Sequence, residues 1–150
     1  MKHVWLFFLI LLSFVLQSKM SILSVVPDLT AAVVYYYGIN NGATKGIYMG
    51  SVIGLIEDSI GGGIIGPNML GKGAVGFLSP SISGGLLRWT PYTGMLVIFA
   101  LTVMDGFVVF LSKALFESTP ATVLRLVVTL LMQGFVNSVI GIFLRPKNAD

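Results

Sequence analysis

The chain has 150 residues, a formal charge of +3, 55% hydrophobic residues and only 10% charged ones. Its mean hydropathy is +0.93. A soluble domain carries about 25% charge, so this composition excludes a water-covered globule. It points instead to an all-α integral membrane protein, one polytopic domain over residues 1–150.

Runs such as WLFFLILLSFVL and MLVIFALTV are apolar on every face. Barrel strands alternate apolar and polar residues, so a transmembrane β-barrel is set aside. The basic residues are scattered, mostly at span ends, and serve orientation in a bilayer better than nucleic-acid binding. Cysteine is absent, which removes disulfides, thiolate metal sites and cysteine catalysis.

The first stretch, MKHVWLFFLILLSFVLQS, has the basic start and apolar core of a secretory signal but no small-x-small cleavage site. It is expected to remain as an uncleaved first span beginning near Val4. Pro27-Asp28 punctuates the chain next, with Asp28 a good N-cap for the apolar piece Leu29–Ile39. Two full spans need about 40 residues. The stretch from Val4 to Ile39 falls short of that, so either one helix here is short and broken at Pro27 or the piece is re-entrant.

A third span is expected from about Ala43 to Ile60, a fourth from Pro67 to Leu87 and a fifth from Thr93 to Phe116. Trp89 and Tyr92 suit a headgroup-level belt, as does Tyr35-Tyr36-Tyr37. Glu117-Ser118-Thr119-Pro120 reads as a turn, and a sixth span runs from Ala121 to Leu144. The expected architecture is a compact bundle of about six transmembrane helices, with five as the alternative. Lys2, Lys45, Arg88, Arg145 and Lys147 then share one side, which favours cytoplasmic termini. The loops are short and leave no soluble domain for an active site.

Between spans three and four lies the chain's most distinctive stretch, Gly46–Gly76, with ten of its eighteen glycines. Gly46, Gly50 and Gly54 recur every four residues and make a groove on one helix face. Such a groove packs a neighbouring helix of the same chain or docks a partner's. Asp58 continues the series beside Glu57. Lys72 lies about as far beyond the hairpin as Asp58 lies before it, so the two are expected at similar depth as an ion pair or as part of a polar pocket. Gly61-Gly62-Gly63 with Gly66-Pro67-Asn68 is a loop suited to positive φ. It does not match the phosphate-binding G-x-x-x-x-G-K-[ST] pattern, so nucleotide binding is rejected.

Asp105 falls within span five with no basic residue one turn away. A proton or ion site, a pair with Lys72 and a hydrogen bond to Ser or Thr of another span are all open readings. Lys113, Glu117 and Arg125 read as interfacial anchors. His3, the single histidine, offers neither a metal site nor a convincing general base. Catalytic and metal sites are not indicated, and no cofactor is expected. The candidates are thus Gly46, Gly50, Gly54 and Gly66 for helix packing or partner contact, and Asp28, Glu57, Asp58, Asn68, Lys72 and Asp105 as intramembrane polar groups.

Pro27-Asp28-Leu29, the four-residue glycine series from Gly46, Asp58 before a glycine loop, Gly66, and Lys72 to Gly76 together resemble the MreD family of rod shape-determining proteins. The resemblance covers most of the chain by layout and specific residues from Pro27 to Gly76. It implies a non-enzymatic, multi-pass protein of the bacterial inner membrane, part of the machinery for cell elongation and peptidoglycan synthesis. It implies MreC as the main partner and, through it, MreB, RodA and its transpeptidase partner, with membrane lipid around the bundle. The family is also similar in layout to the vitamin-binding S components of energy-coupling-factor transporters. On that alternative, Asp58, Asn68, Lys72 and Asp105 would line a small-molecule pocket. The triple glycine at 61–63 and Glu57 beside Asp58 depart from the ordinary family pattern.

Overall fold

The computed structural model describes residues 2–19, 26–81, 90–116 and 123–146. Among them are six helices and no strand. They are α1 (Lys2–Lys19), α2 (Leu29–Asn41), α3 (Ala43–Gly61), α4 (Pro67–Ser81), α5 (Pro91–Phe116) and α6 (Val123–Gly141). Two stretches, Pro91–Phe116 and Leu124–Gly141, are long and apolar enough to cross a membrane.

Local chemistry sets the boundaries. Asp28 caps α2, its Oδ1 accepting from the Ala31 N–H at 3.1 Å. The helix has 13 residues, about 20 Å at 1.5 Å per residue. A short second helix is therefore the form this part of the chain takes. Gly42 alone joins α2 to α3; its φ of +90° suits glycine. Gly62 closes α3 in the left-handed region at φ +66°. Pro67 opens α4 at the position where a missing N–H costs nothing. Residues 82–89, which include Arg88 and Trp89, and the turn at Glu117–Pro120 lie outside the described residues.

Helix α4 sits at the centre, packed against α3, α2 and α5, while α6 packs on α5 and α1 on α2. The apolar core joins Val34 and Tyr35 of α2, Ile53 of α3, Val75 of α4, and Ile98 and Leu101 of α5. Tyr35 is 1% exposed, so the three tyrosines do not form one belt. A helix turns about 100° per residue, and the face that buries Ala31, Val34 and Gly38 takes Tyr35 with it. Tyr92 stays exposed.

Beside this apolar core the interior holds polar and charged groups, and the outer surface is rich in large apolar side chains. Thr30, Asp58, Lys72, Ser79, Thr102, Asp105 and Asn137 are buried, whereas Tyr48, Ile60, Leu96, Phe107, Leu124 and Phe135 are exposed. An exposed apolar surface of this extent marks contact with lipid or partner protein.

Candidate functional site

The glycine face of α3 is filled by α4. A Cβ at Gly46 would overlap the Gly76 carbonyl, one at Gly50 the Lys72 carbonyl, and one at Gly54 the Asn68 carbonyl. The contact is reciprocal, because a Cβ at Gly76 would overlap the Gly46 carbonyl. The period of four on α3 thus meets a period of four on α4, and the backbones approach as only glycine allows. Gly66 belongs to the loop instead, at φ +135°.

This close approach brings α3 carboxylates against α4 in two separate centres. Asp58 holds the start of α4. Its Oδ2 accepts from the Gly66 N–H at 2.8 Å and the Met69 N–H at 3.2 Å, and its Oδ1 from the Asn68 N–H at 3.1 Å and Asn68 Nδ2 at 2.8 Å. These are the orphan donors of a helix N-terminus, where the helix dipole also favours a negative group. Asp58 and Lys72 are not at matched depth: the Lys72 carbonyl faces Gly50, eight residues before Asp58 on α3, so the expected pair does not form. The start of α4 offers Asp58 four donors within reach, and its side chain is spent on them.

Lys72 pairs with Glu57 instead, the residue before Asp58. Its Nζ lies 2.6 Å from Glu57 Oε2, 3.0 Å from Asp28 Oδ2 and 3.2 Å from Asp105 Oδ2. The lysine is 1% exposed. Of the three readings open for Asp105, the pair with Lys72 is the contact the structure contains. Thr30 Oγ1 touches both Glu57 Oε1 and, at 2.8 Å, Asp28 Oδ1. Gln17 of α1 reaches Asp28 Oδ1 at 3.4 Å. Asn137 of α6 donates to the Asp28 backbone carbonyl at 2.5 Å and to Thr102 Oγ1 at 3.1 Å. All six helices thus send a polar side chain to one centre.

Sequence reasoning missed Gln17, Thr30, Thr102 and Asn137. The signal was there for two of them: Gln17 and Asn137 are amide side chains on predominantly apolar helices, which is costly unless they have partners. Chemically, three carboxyls surround one ammonium. If all were ionised the centre would carry a formal charge of −2. Lys72 occupies the middle of the carboxyl set, where a bound cation would have to sit.

The four residues grouped above as a small-molecule pocket fall into both centres, Asp58 and Asn68 in one and Lys72 and Asp105 in the other. A cavity of about 430 Å³ lies elsewhere, between α1, α2 and the end of α6, lined by residues such as Leu9, Ser13, Ala32, Tyr36 and Phe143.

Comparison with curated proteins and with solved structures gave no match. The family model described as rod shape-determining protein MreD matches residues 1–145. With nearly the whole chain covered, the protein belongs to the MreD family.

Proposed function

We propose that this protein is a non-enzymatic, multi-pass scaffold of the bacterial inner membrane that supports rod shape by binding MreC. Membership of the MreD family gives the role in rod-shape determination. The observation that supports a scaffold is the disposition of polar groups. The charged side chains of the helix interior are engaged with one another or with backbone donors, and the outward faces are apolar. Such a molecule offers lipid and partner helices a packing surface rather than a reaction centre.

In this reading the chain is one domain of six helices in the bilayer, with lipid along the exposed faces of α3 and α6. The termini face the cytoplasm, following the side shared by Lys2, Lys45 and Arg145. MreC links the scaffold to MreB, RodA and its transpeptidase partner. The groove of α3 is taken by α4, so a partner helix would bind an outer, apolar face.

The test is depletion in a rod-shaped host together with co-purification in mild detergent. Depleted cells should become round, and MreC should travel with the tagged protein. Retained rod shape and no MreC recovery in any mild detergent would exclude the proposal. The small-molecule alternative gains no support from the packing, because Asp58 and Asn68 turn to the α4 terminus and away from Lys72 and Asp105.

A further inference from the structure

We propose that the Lys72 centre is a proton-binding site. It holds a proton on Glu57, directed at Thr30, and exchanges it through the Asp28–Glu57 edge beside Gln17. Nothing in the family's role requires this; it follows from counting hydrogens in the packed interior.

The count begins at Thr30. A hydroxyl has one hydrogen to donate and two lone pairs with which to accept. Thr30 Oγ1 nevertheless contacts two carboxyl oxygens, Asp28 Oδ1 at 2.8 Å and Glu57 Oε1. One hydrogen serves one of these contacts, and the other needs a second hydrogen carried by a carboxyl group. Asp28 is already supplied with donors. Its Oδ1 accepts from the Ala31 N–H at 3.1 Å and lies 3.4 Å from Gln17 Nε2, and its Oδ2 accepts from Lys72 at 3.0 Å. Asp28 is therefore the carboxylate and Glu57 the acid. Glu57 accepts from Lys72 through Oε2 at 2.6 Å and donates to Thr30 through Oε1.

The charge balance points the same way. Three ionised carboxyls against one ammonium would leave two uncompensated negative charges in an apolar interior, where an unpaired charge is very costly. An independent feature stands at the far side of the centre. Asp105 is 1% exposed, and its Oδ1 has no hydrogen-bond partner among the described residues. Its Oδ2 and that of Asp28 both sit on Lys72 Nζ, at 3.2 Å and 3.0 Å. Carboxyls crowded about one ammonium favour a proton on one of them, so Asp105 gives the centre a second proton position. Gly71 leaves the room for that oxygen, since a Cβ there would overlap Asp105 Oδ1.

The groups facing the centre come from every helix: Gln17 from α1, Asp28 and Thr30 from α2, Glu57 from α3, Lys72 from α4, Asp105 and Thr102 from α5, and Asn137 from α6. Access is one-sided. The side chains of Glu57 and Asp28 are 15% and 16% exposed, against 1% for Lys72 and Asp105. Loss of the proton would place excess negative charge between α2, α3, α4 and α5, so proton occupancy is coupled to how these helices pack.

Infrared spectroscopy of the full chain in nanodiscs tests the proposal through the C=O stretch of a protonated carboxyl. The wild-type protein should show that band at neutral pH, shifted in heavy water. Glu57→Gln, whose amide can still donate to Thr30, should remove it or cut it by at least half. Asp105→Asn should shift the band and leave it present. A folded wild-type protein without the band at neutral pH would overturn the proposal, as would a band unchanged in Glu57→Gln. If Glu57→Gln does not fold, Asp105→Asn decides: a band that persists there supports a proton on Glu57, and its loss there overturns the proposal.

Discussion

Glu57 and Asp58 are neighbours on α3 and chemically almost the same, yet they serve opposite ends of a scale. Asp58 receives four hydrogen bonds at the start of α4, three from the backbone. Glu57 shares a single ammonium with two other carboxyls. Backbone dipoles at a helix terminus satisfy a carboxylate without any countercharge. A lysine shared three ways leaves a carboxyl short of charge balance and in need of a proton. The first arrangement fixes a loop; the second can respond to its surroundings.

The largest effect should come from Lys72→Met. Among the described residues it strips the one cation that touches Asp28, Glu57 and Asp105, of which Asp105 is buried and the other two half-buried, and removing one partner of a buried ion pair costs about 3–5 kcal/mol. Thermal unfolding in detergent should show a steep loss of stability or no folded protein, and rod shape should not be restored in depleted cells. Gly50→Leu comes next. Its side chain would strike the Lys72 carbonyl, and overpacking of this kind costs about 1–3 kcal/mol or more. The folded fraction should fall. A folded protein that loses only MreC would show that the glycine face is instead a partner surface.

Asp58→Ala should cost less, about 1–2 kcal/mol, as for a lost helix cap. Hydrogen exchange should rise at the Gly66, Asn68 and Met69 amides while the Lys72 centre stays protected. Faster exchange around Lys72 would merge the two centres into one. Glu57→Gln should be the mildest, within about 1 kcal/mol, because Gln keeps both an acceptor for Lys72 and a donor for Thr30. A loss as large as that of Lys72→Met would mean that Glu57 is ionised in the folded protein.

Much of the helical layout was legible in the sequence, because its signals are local. Asp28 after Pro27, Gly42, and Gly61 to Pro67 each terminate or start a helix by their own chemistry. The glycine period on α3 was legible too, since a groove needs only spacing. What the period did not reveal was its occupant, which depends on α4 carrying the matching positions Asn68, Lys72 and Gly76. Matching depth along the hairpin misjudged the register, since the Lys72 backbone is level with Gly50 and only its side chain extends to Glu57, and it chose the wrong carboxylate. Depth does not fix azimuth, and one residue along a helix turns a side chain by about 100°. Thr30 meets Glu57 across 27 positions, and Asn137 meets the Asp28 carbonyl across 109. Pairings of that range come from tertiary packing, which no local pattern encodes. The same holds for Tyr35, whose neighbours resemble it in type and differ only in the face they occupy.

The most direct measurement is a pair of double-mutant cycles read by unfolding free energy. One combines Lys72→Met with Glu57→Leu, which removes the acceptor that Glu57→Gln would keep, the other Lys72→Met with Asp58→Asn. Residues within one network couple by about 0.5–3 kcal/mol, whereas independent ones add to within about 0.5 kcal/mol. The account predicts clear coupling between Lys72 and Glu57 and additivity between Lys72 and Asp58. Coupling to Asp58 with additivity at Glu57 would contradict it.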